Sequence, residues 1–329
     1  MKKNLSKILS LMLIAVMIFT FAACGSNGNS GDAEGPVSLS IATGGTSGTY
    51  YGYCGIIAQV FNQELGDTMN LSAVSTGASM ANIQQMQVGA SQIAIVQNDV
   101  MDYAYNGTDL FDGDKTDNFS SMAACYAEVC QIIANPDSGI ETVADLKGKR
   151  VSVGDAGSGV EFNAKQILAA YGISFDDIDK QNLSFGDSAN AMKDNKIDAF
   201  FLTAGAPTTA VMELASTNKI KVLNIDGAEA EQLIADYPFY TTYTISKDTY
   251  KGMEEDATTV AVKATLIVNN DLSEDTVYDL TKALFENKEE IAAGHVKGNE
   301  LDPQYAVDGV SVPFHPGAEK YFKEVGVME

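Results

Sequence analysis

Four short turns rich in glycine and hydroxyl side chains, each set between an apolar run and a helical period, carry the most legible chemistry in this chain. They are Thr43-Gly44-Gly45-Thr46-Ser47-Gly48-Thr49-Tyr50-Tyr51, Ser75-Thr76-Gly77-Ala78-Ser79, Gly154-Asp155-Ala156-Gly157-Ser158-Gly159-Val160-Glu161 and Thr203-Ala204-Gly205-Ala206-Pro207. Small residues let the backbone approach a guest and hydroxyls donate to it. The helix that follows offers unpaired N–H groups and a partial positive charge, which suits a carboxylate or phosphate. The same residue types serve as plain N-caps, and Pro207 is at home in a first helical turn. Four such turns, two in each half of the chain's α/β pattern, point to a cleft lined by donors.

The candidate ligand-binding residues are therefore Thr46, Ser47, Gly48, Thr49, Tyr50, Tyr51, Thr76, Gly77, Ser79, Gln97, Asn98, Ser158, Gly159, Val160, Glu161, Ala204 and Gly205. Tyr50 and Tyr51 are read as walls of the cleft. Gln97 and Asn98, with Asp99, end an apolar run and either supply amide groups or form a turn. Glu161 either balances the dipole of its helix or accepts from an ammonium or hydroxyl of the guest.

These turns need a scaffold, and the pattern supplies one. Strands are expected at 37–43, 69–75, 92–97, 151–153, 181–185, 197–202 and 220–225, with a mostly apolar stretch at 121–133. Helices are expected at 50–65, 79–88, 160–171, 188–195 and 207–216. That alternation is an α/β fold built from βαβ units, whose ligands sit at the carboxyl ends of strands. From about Tyr240 the texture turns β-rich (240–246 and 258–268) and then helical (273–287 and 318–324). Two lobes are expected, one of residues 37–128 plus 239–329 and one of 129–238, so that the chain crosses between them twice.

Composition narrows the function. The 329 residues include 44 acidic and 21 basic ones, a net charge of −23, and Arg150 is the one arginine. Such a surface repels phosphate backbones and argues against nucleic acid. With one guanidinium, bidentate clamps on an anion are nearly unavailable, so an anion must be held by backbone donors and hydroxyls. There is no Gly-Lys-Ser/Thr phosphate loop, no GxGxxG, no GxSxG and no HExxH, so nothing supports an enzyme, a cofactor or a metal site. His295 and His315 have no clustered partners, and Cys54, Cys125 and Cys130 are read as reduced, buried thiols.

The first segment reads as an address. Lys2, Lys3 and Lys7 precede the apolar run Ile8–Ala23, too short for the roughly 20 residues of a bilayer span and typical of a secretory signal. Phe-Ala-Ala-Cys at 21–24 resembles a bacterial lipobox, which would place a lipid on Cys24, and residues 24–36 form a flexible tether. The expected mature protein carries 18 basic and 44 acidic residues, a net of −26, and is anchored outside the cytoplasm, at the outer face of the membrane or in a periplasm.

The turn at 44–51, Ser75–Ser79 with Asn82, Gln92-Ile93-Ala94-Ile95-Val96-Gln97-Asn98-Asp99, the run 145–154, Gly157–Glu161, Ala204–Pro207 and Pro313-Phe314-His315-Pro316-Gly317-Ala318 resemble, in the same order, the solute-receptor subunits of TAXI-type TRAP transporters. The resemblance spans residues 37–329. It implies a two-lobed, type II periplasmic-binding-protein-like fold with a central cleft and a hinge crossed twice. It further implies a monomeric receptor that hands a small carboxylate or amino acid, such as glutamate or 2-oxoglutarate, to an integral TRAP permease. Thr46-Ser47 stands where most such receptors have Gly-Gly, and Val160 where threonine is common. A receptor for an ATP-driven importer and an anchored two-lobed enzyme are the other readings of the same residues.

Overall fold

The apolar runs Ile93–Gln97, Phe119–Ala134 and Ala199–Ala204 form strands buried along nearly their whole length, as expected of a sheet covered on both faces. The computed structural model describes residues 35–329; the leader at 1–23, Cys24 and the tether as far as residue 34 lie outside the described residues. The first set of elements is β1 (Val37–Ala42), α1 (Thr49–Leu65), β2 (Met69–Val74), α2 (Ser79–Gln87), β3 (Ile93–Gln97) and α3 (Asn98–Asn106). A 16-residue strand, β4 (Phe119–Ala134), leads into β5 (Arg150–Ser152), α4 (Gly159–Ala170), β6 (Asp179–Gln181), α5 (Phe185–Lys193), β7 (Ala199–Ala204), α6 (Thr209–Thr217), β8 (Lys221–Val222) and α7 (Gly227–Asp236). The chain closes with β9 (Thr241–Ile245), β10 (Ala257–Asn269), α8 (Glu274–Glu286), α9 (Lys288–Gly294), α10 (Pro303–Val307) and α11 (Pro316–Glu324).

All ten strands join one mixed sheet in the order β2-β1-β3-β10-β4-β7-β5-β6, with β8 on β4 and β9 on β10. The outer trios β2-β1-β3 and β7-β5-β6 are parallel within themselves, whereas β10 and β4 run antiparallel to each other and to the trio strands beside them. The two trios therefore run toward each other. Gln97, the last residue of β3, is level with Ala264 and hence Tyr126, while Ala204, the last of β7, is level with Val129. The carboxyl ends of both trios meet over residues 126–129 of β4, and the glycine turns follow those ends.

The core divides at the same place. One group of clusters draws on residues 39–126 and 264–322, the other on 129–262. Tyr240, Ile245, Tyr250, Ala257 and Val260 pack with the 129–262 group because β9 pairs with the first half of β10.

Other elements differ from the sequence reading. The strand expected at 181–185 stops at Gln181, since Ser184 caps α5: its Oγ accepts from the Asp187 N–H at 3.2 Å and donates to Asp187 Oδ2 at 2.7 Å. The strand expected at 220–225 shrinks to two residues, and the turn reading of Asn98–Asp99 gives way to the first turn of α3. Cys54, Cys125 and Cys130 are buried and unbridged. Cys125 and Cys130 lie five residues apart on the extended β4, about 17 Å along the strand, far beyond disulfide reach. The Arg150 guanidinium is spent on structure. It forks onto Asp198 at 2.6 and 3.1 Å and donates to the Asn195 carbonyl at 2.7 Å.

Candidate functional site

Where the two trios converge, a cleft of about 510 Å³, mouth included, opens between the glycine turns. On the side of α1 and α2 it is lined by Gly44, Gly45, Ser47, Gly48, Thr49, Tyr50 and Ala78. The other wall comes from Asp155, Ser158, Val160, Ser184 and Phe185, and Gln97, Glu128, Thr203 and Ala204 complete it at the strand ends.

The helix starts differ in what they can offer. Gly48 and Ala78, the N-caps of α1 and α2, have no polar side chain, so the first N–H groups of these helices are open to a guest. Ala78 holds φ 70° and ψ −150°, a region costly for a residue with a Cβ. The start of α4 is already partly taken up. Ser158 Oγ accepts from the Glu161 N–H at 3.3 Å, and Glu161 Oε2 accepts from the Gly157 N–H at 2.7 Å. A carboxylate guest is therefore best matched by α1 and α2.

Of the sequence candidates, the structure brings Ser47, Gly48, Thr49, Tyr50, Gln97, Ser158, Val160 and Ala204 to the cleft wall. The rest fall outside that lining. Thr46 and Tyr51 are exposed. Thr76 donates to the Thr43 carbonyl at 3.1 Å, Ser79 Oγ accepts from the Gln97 N–H at 3.1 Å, and Asn98 Oδ1 accepts from the Lys263 N–H at 2.9 Å. Gly77 is exposed in the turn before α2. At Gly159 a Cβ would lie 1.9 Å from Gln97 Oε1, so a larger residue forces the Gln97 side chain to move, and Gly205 presents its carbonyl to Thr49 Oγ1 at 3.0 Å. Glu161 faces Lys180 at 2.8 Å and Asn182 at 3.1 Å, so its carboxylate is engaged away from the cleft.

The residue that sequence reasoning passed over is Glu128. It is 1% exposed and lines the cleft from the middle of β4, where it accepts from the Tyr50 hydroxyl. Burial pushes its carboxyl well above the usual range and the Asp99 charge pushes the same way, while Tyr50 and Lys297 pull it down. The signal was present as one acid in the apolar run 121–133. Phe185, whose ring reaches within 3.4 Å of a Cβ placed on Gly48, closes the cleft against α1 and had no signal of its own.

Behind the cleft a buried polar network joins the two core groups. Asn163 on α4 accepts from Gln97 Nε2 at 2.6 Å and from Thr203 Oγ1 at 2.9 Å, and donates to Asp99 Oδ2 at 2.9 Å and Tyr240 Oη at 2.7 Å. Tyr240 donates to Gln166 Oε1 at 2.7 Å, and Gln166 donates to the Tyr103 hydroxyl at 3.1 Å. Asp99 sits in this network with its carboxyl raised to about 6 by burial, against which the Val100 N–H and Asn163 pull downward.

A model of the NMT1-like family matches residues 41–326. The chain belongs to the NMT1-like family. This NMT1-like protein is 28% identical over 203 residues to the arginine-binding extracellular protein ArtP of Bacillus subtilis, covering 59% of this chain and 72% of ArtP. Among solved structures it resembles PhnD1 from Prochlorococcus marinus in complex with methylphosphonate, with a TM-score of 0.54, 11% identity and coverage of 88% and 96% of the two chains. It also resembles a binding protein component of an ABC phosphonate transporter from Pseudomonas aeruginosa, at a TM-score of 0.50, 15% identity and coverage of 80% and 79%. These likenesses show that this NMT1-like protein has the mixed α/β fold of type II periplasmic binding proteins. Among the described residues no helix is long and apolar enough to cross a membrane, and no group of three or more His, Cys, Asp or Glu could hold a metal ion.

Proposed function

We propose that the protein is an extracytoplasmic solute receptor that captures a small solute in the cleft between its two lobes and delivers it to a membrane permease. The observation that carries this reading is the convergence of two opposed sets of strand ends on one cleft, whose walls come from both core groups. A solute held there touches both lobes, so its binding energy favours the closed form. The open N–H groups of α1 and α2 suit a carboxylate, in line with the glutamate or 2-oxoglutarate that the TAXI resemblance implies.

The same resemblance, together with the lipobox at Cys24, supports a lipid-anchored subunit working with a TRAP permease driven by an ion gradient. The likeness to a binding protein of an ABC phosphonate transporter supports the second reading, an ATP-driven importer. A thermal-shift screen of amino acids and carboxylates tests the receptor reading, and a screen without a stabilising solute sinks it. Uptake of the identified solute into membrane vesicles separates the permeases. Import abolished by an ionophore but indifferent to ATP depletion fits the gradient-driven partner, and the reverse result replaces it with the importer.

A further inference from the structure

The charges of the cleft are lopsided. Glu128 and Asp155 line it, and among the described residues no lysine or arginine does. Lys297, 2% exposed and close enough to act on Glu128, is paired with Glu300 at 2.6 Å. A dicarboxylate would bring two negative charges to these acids, while the two open helix starts on the α1 side suit a single carboxylate. An acid placed in a dry cleft wall with one hydroxyl as its bonding partner is itself half a binding site, because a buried carboxylate needs a counter-charge.

We propose, on the receptor reading above, that the solute of this cleft carries a protonated nitrogen as well as a carboxylate, and that Glu128 receives that nitrogen while the starts of α1 and α2 receive the carboxylate. An oxo-acid or a dicarboxylate without the nitrogen is then a poor ligand.

Binding is coupled to a proton. The groups facing Glu128 are Tyr50 on α1, Asp99 on α3, Lys297 in the turn 296–300, Tyr305 on α10, and Tyr126 and Cys130 on its own strand. Burial and Asp99 favour the protonated form of the empty site's carboxyl. An arriving R–NH3⁺ favours the carboxylate, so the Glu128 proton leaves to solvent and an ammonium–carboxylate pair forms. Affinity therefore rises with pH until the empty site's own carboxyl ionises.

The test uses the full chain and a panel of the standard L-amino acids, each beside its 2-oxo counterpart, glutamate and 2-oxoglutarate included. The expected result is that an amino acid binds and its 2-oxo counterpart binds on the order of 100-fold more weakly, since the oxo-acid offers the buried acid no ammonium to pair with. Calorimetry of that amino acid in two buffers of different ionisation enthalpy then reads about one proton released per ligand bound, the stoichiometry set by one carboxyl changing state. E128Q keeps the shape, releases no proton and loses the discrimination between the pair. If E128Q does not fold, the two-buffer measurement on the unaltered chain decides. Equal affinity for an amino acid and its 2-oxo counterpart, or no proton release, overturns the assignment and leaves the receptor standing. Binding of neither class overturns both.

Discussion

Asn163 gives the sharpest test of how the two halves are held together. Its side chain is 1% exposed and makes four hydrogen bonds: to Gln97 and Asp99 from one core group, and to Thr203 and Tyr240 from the other. N163A deletes all four and leaves four buried polar groups to share whatever water the new cavity admits. A bond to a carboxylate contributes about 1.5–3 kcal/mol and a neutral one about 1, and coupling within a network makes the total less than additive, so about 3–5 kcal/mol is expected. For a chain of this size roughly 2 °C of melting temperature is lost per kcal/mol, which places the N163A transition about 6–10 °C below the unaltered protein. N163D is worse still at neutral pH, because it turns a donor to Asp99 into a second acid. Differential scanning calorimetry reads both. A drop of less than about 2 °C for N163A would show that the network is decorative and that apolar packing alone joins the halves.

Four more outcomes follow. Asp99 binds its proton more tightly folded (about 6) than unfolded (near 3.8), so its contribution is fully present below pH 4 and is lost as pH rises toward 6. Unfolding free energies from denaturant titrations across pH 4–7 should fall by an amount on the order of 3 kcal/mol through Asp99, and D99N should remove that part of the slope and leave the part due to Glu128. A78G relieves the backbone at φ 70° and ψ −150° and raises stability by about 1 kcal/mol in urea titration, whereas a loss would mean the conformation carries no strain. G159A drives a methyl into Gln97 Oε1, costs about 1–3 kcal/mol and weakens solute binding, both read in one thermal-shift titration. Cys54, Cys125 and Cys130, with burial pushing Cys125 up to about 12, stay unreactive to a thiol reagent in the native protein and react once it is denatured.

The central strands were legible in the sequence because, buried on both faces, they read as continuous apolar runs. The expected strands at 37–43, 69–75 and 92–97 match β1–β3 to within a residue. What failed was local and competitive. Leu183 and Phe185 look strand-like beside Gln181, but the Ser184–Asp187 cap starts a helix there. Asn98 and Asp99 read as turn formers, yet they begin α3 because their side chains are taken up by Lys263 and Asn163 from distant elements. The site was half legible. Turns announce helix starts, so Ser47, Gly48, Thr49 and Tyr50 on the α1 side could be named, while Gly44, Gly45 and Ala78 beside them were not. Which helix start is free depends on side chains 19 to 21 residues away, as Lys180 and Asn182 show at Glu161. Glu128 could have been suspected, since an acid within an apolar run needs a reason, but periodicity alone does not say that β4 passes under the cleft.

The place of β10 in the sheet bears on how the molecule is made. It lies between β3 and β4, yet in the chain it comes more than a hundred residues after either. Until residues 257–269 are available, β3 and β4 have no strand between them, and neither half can finish its own sheet. Sequence-distant pairing of this sort is slow, since loop closure must precede the reward of contact. Synthesis that proceeds from the N-terminus therefore produces a long polypeptide whose sheet lacks its central strand until the last quarter arrives to supply it.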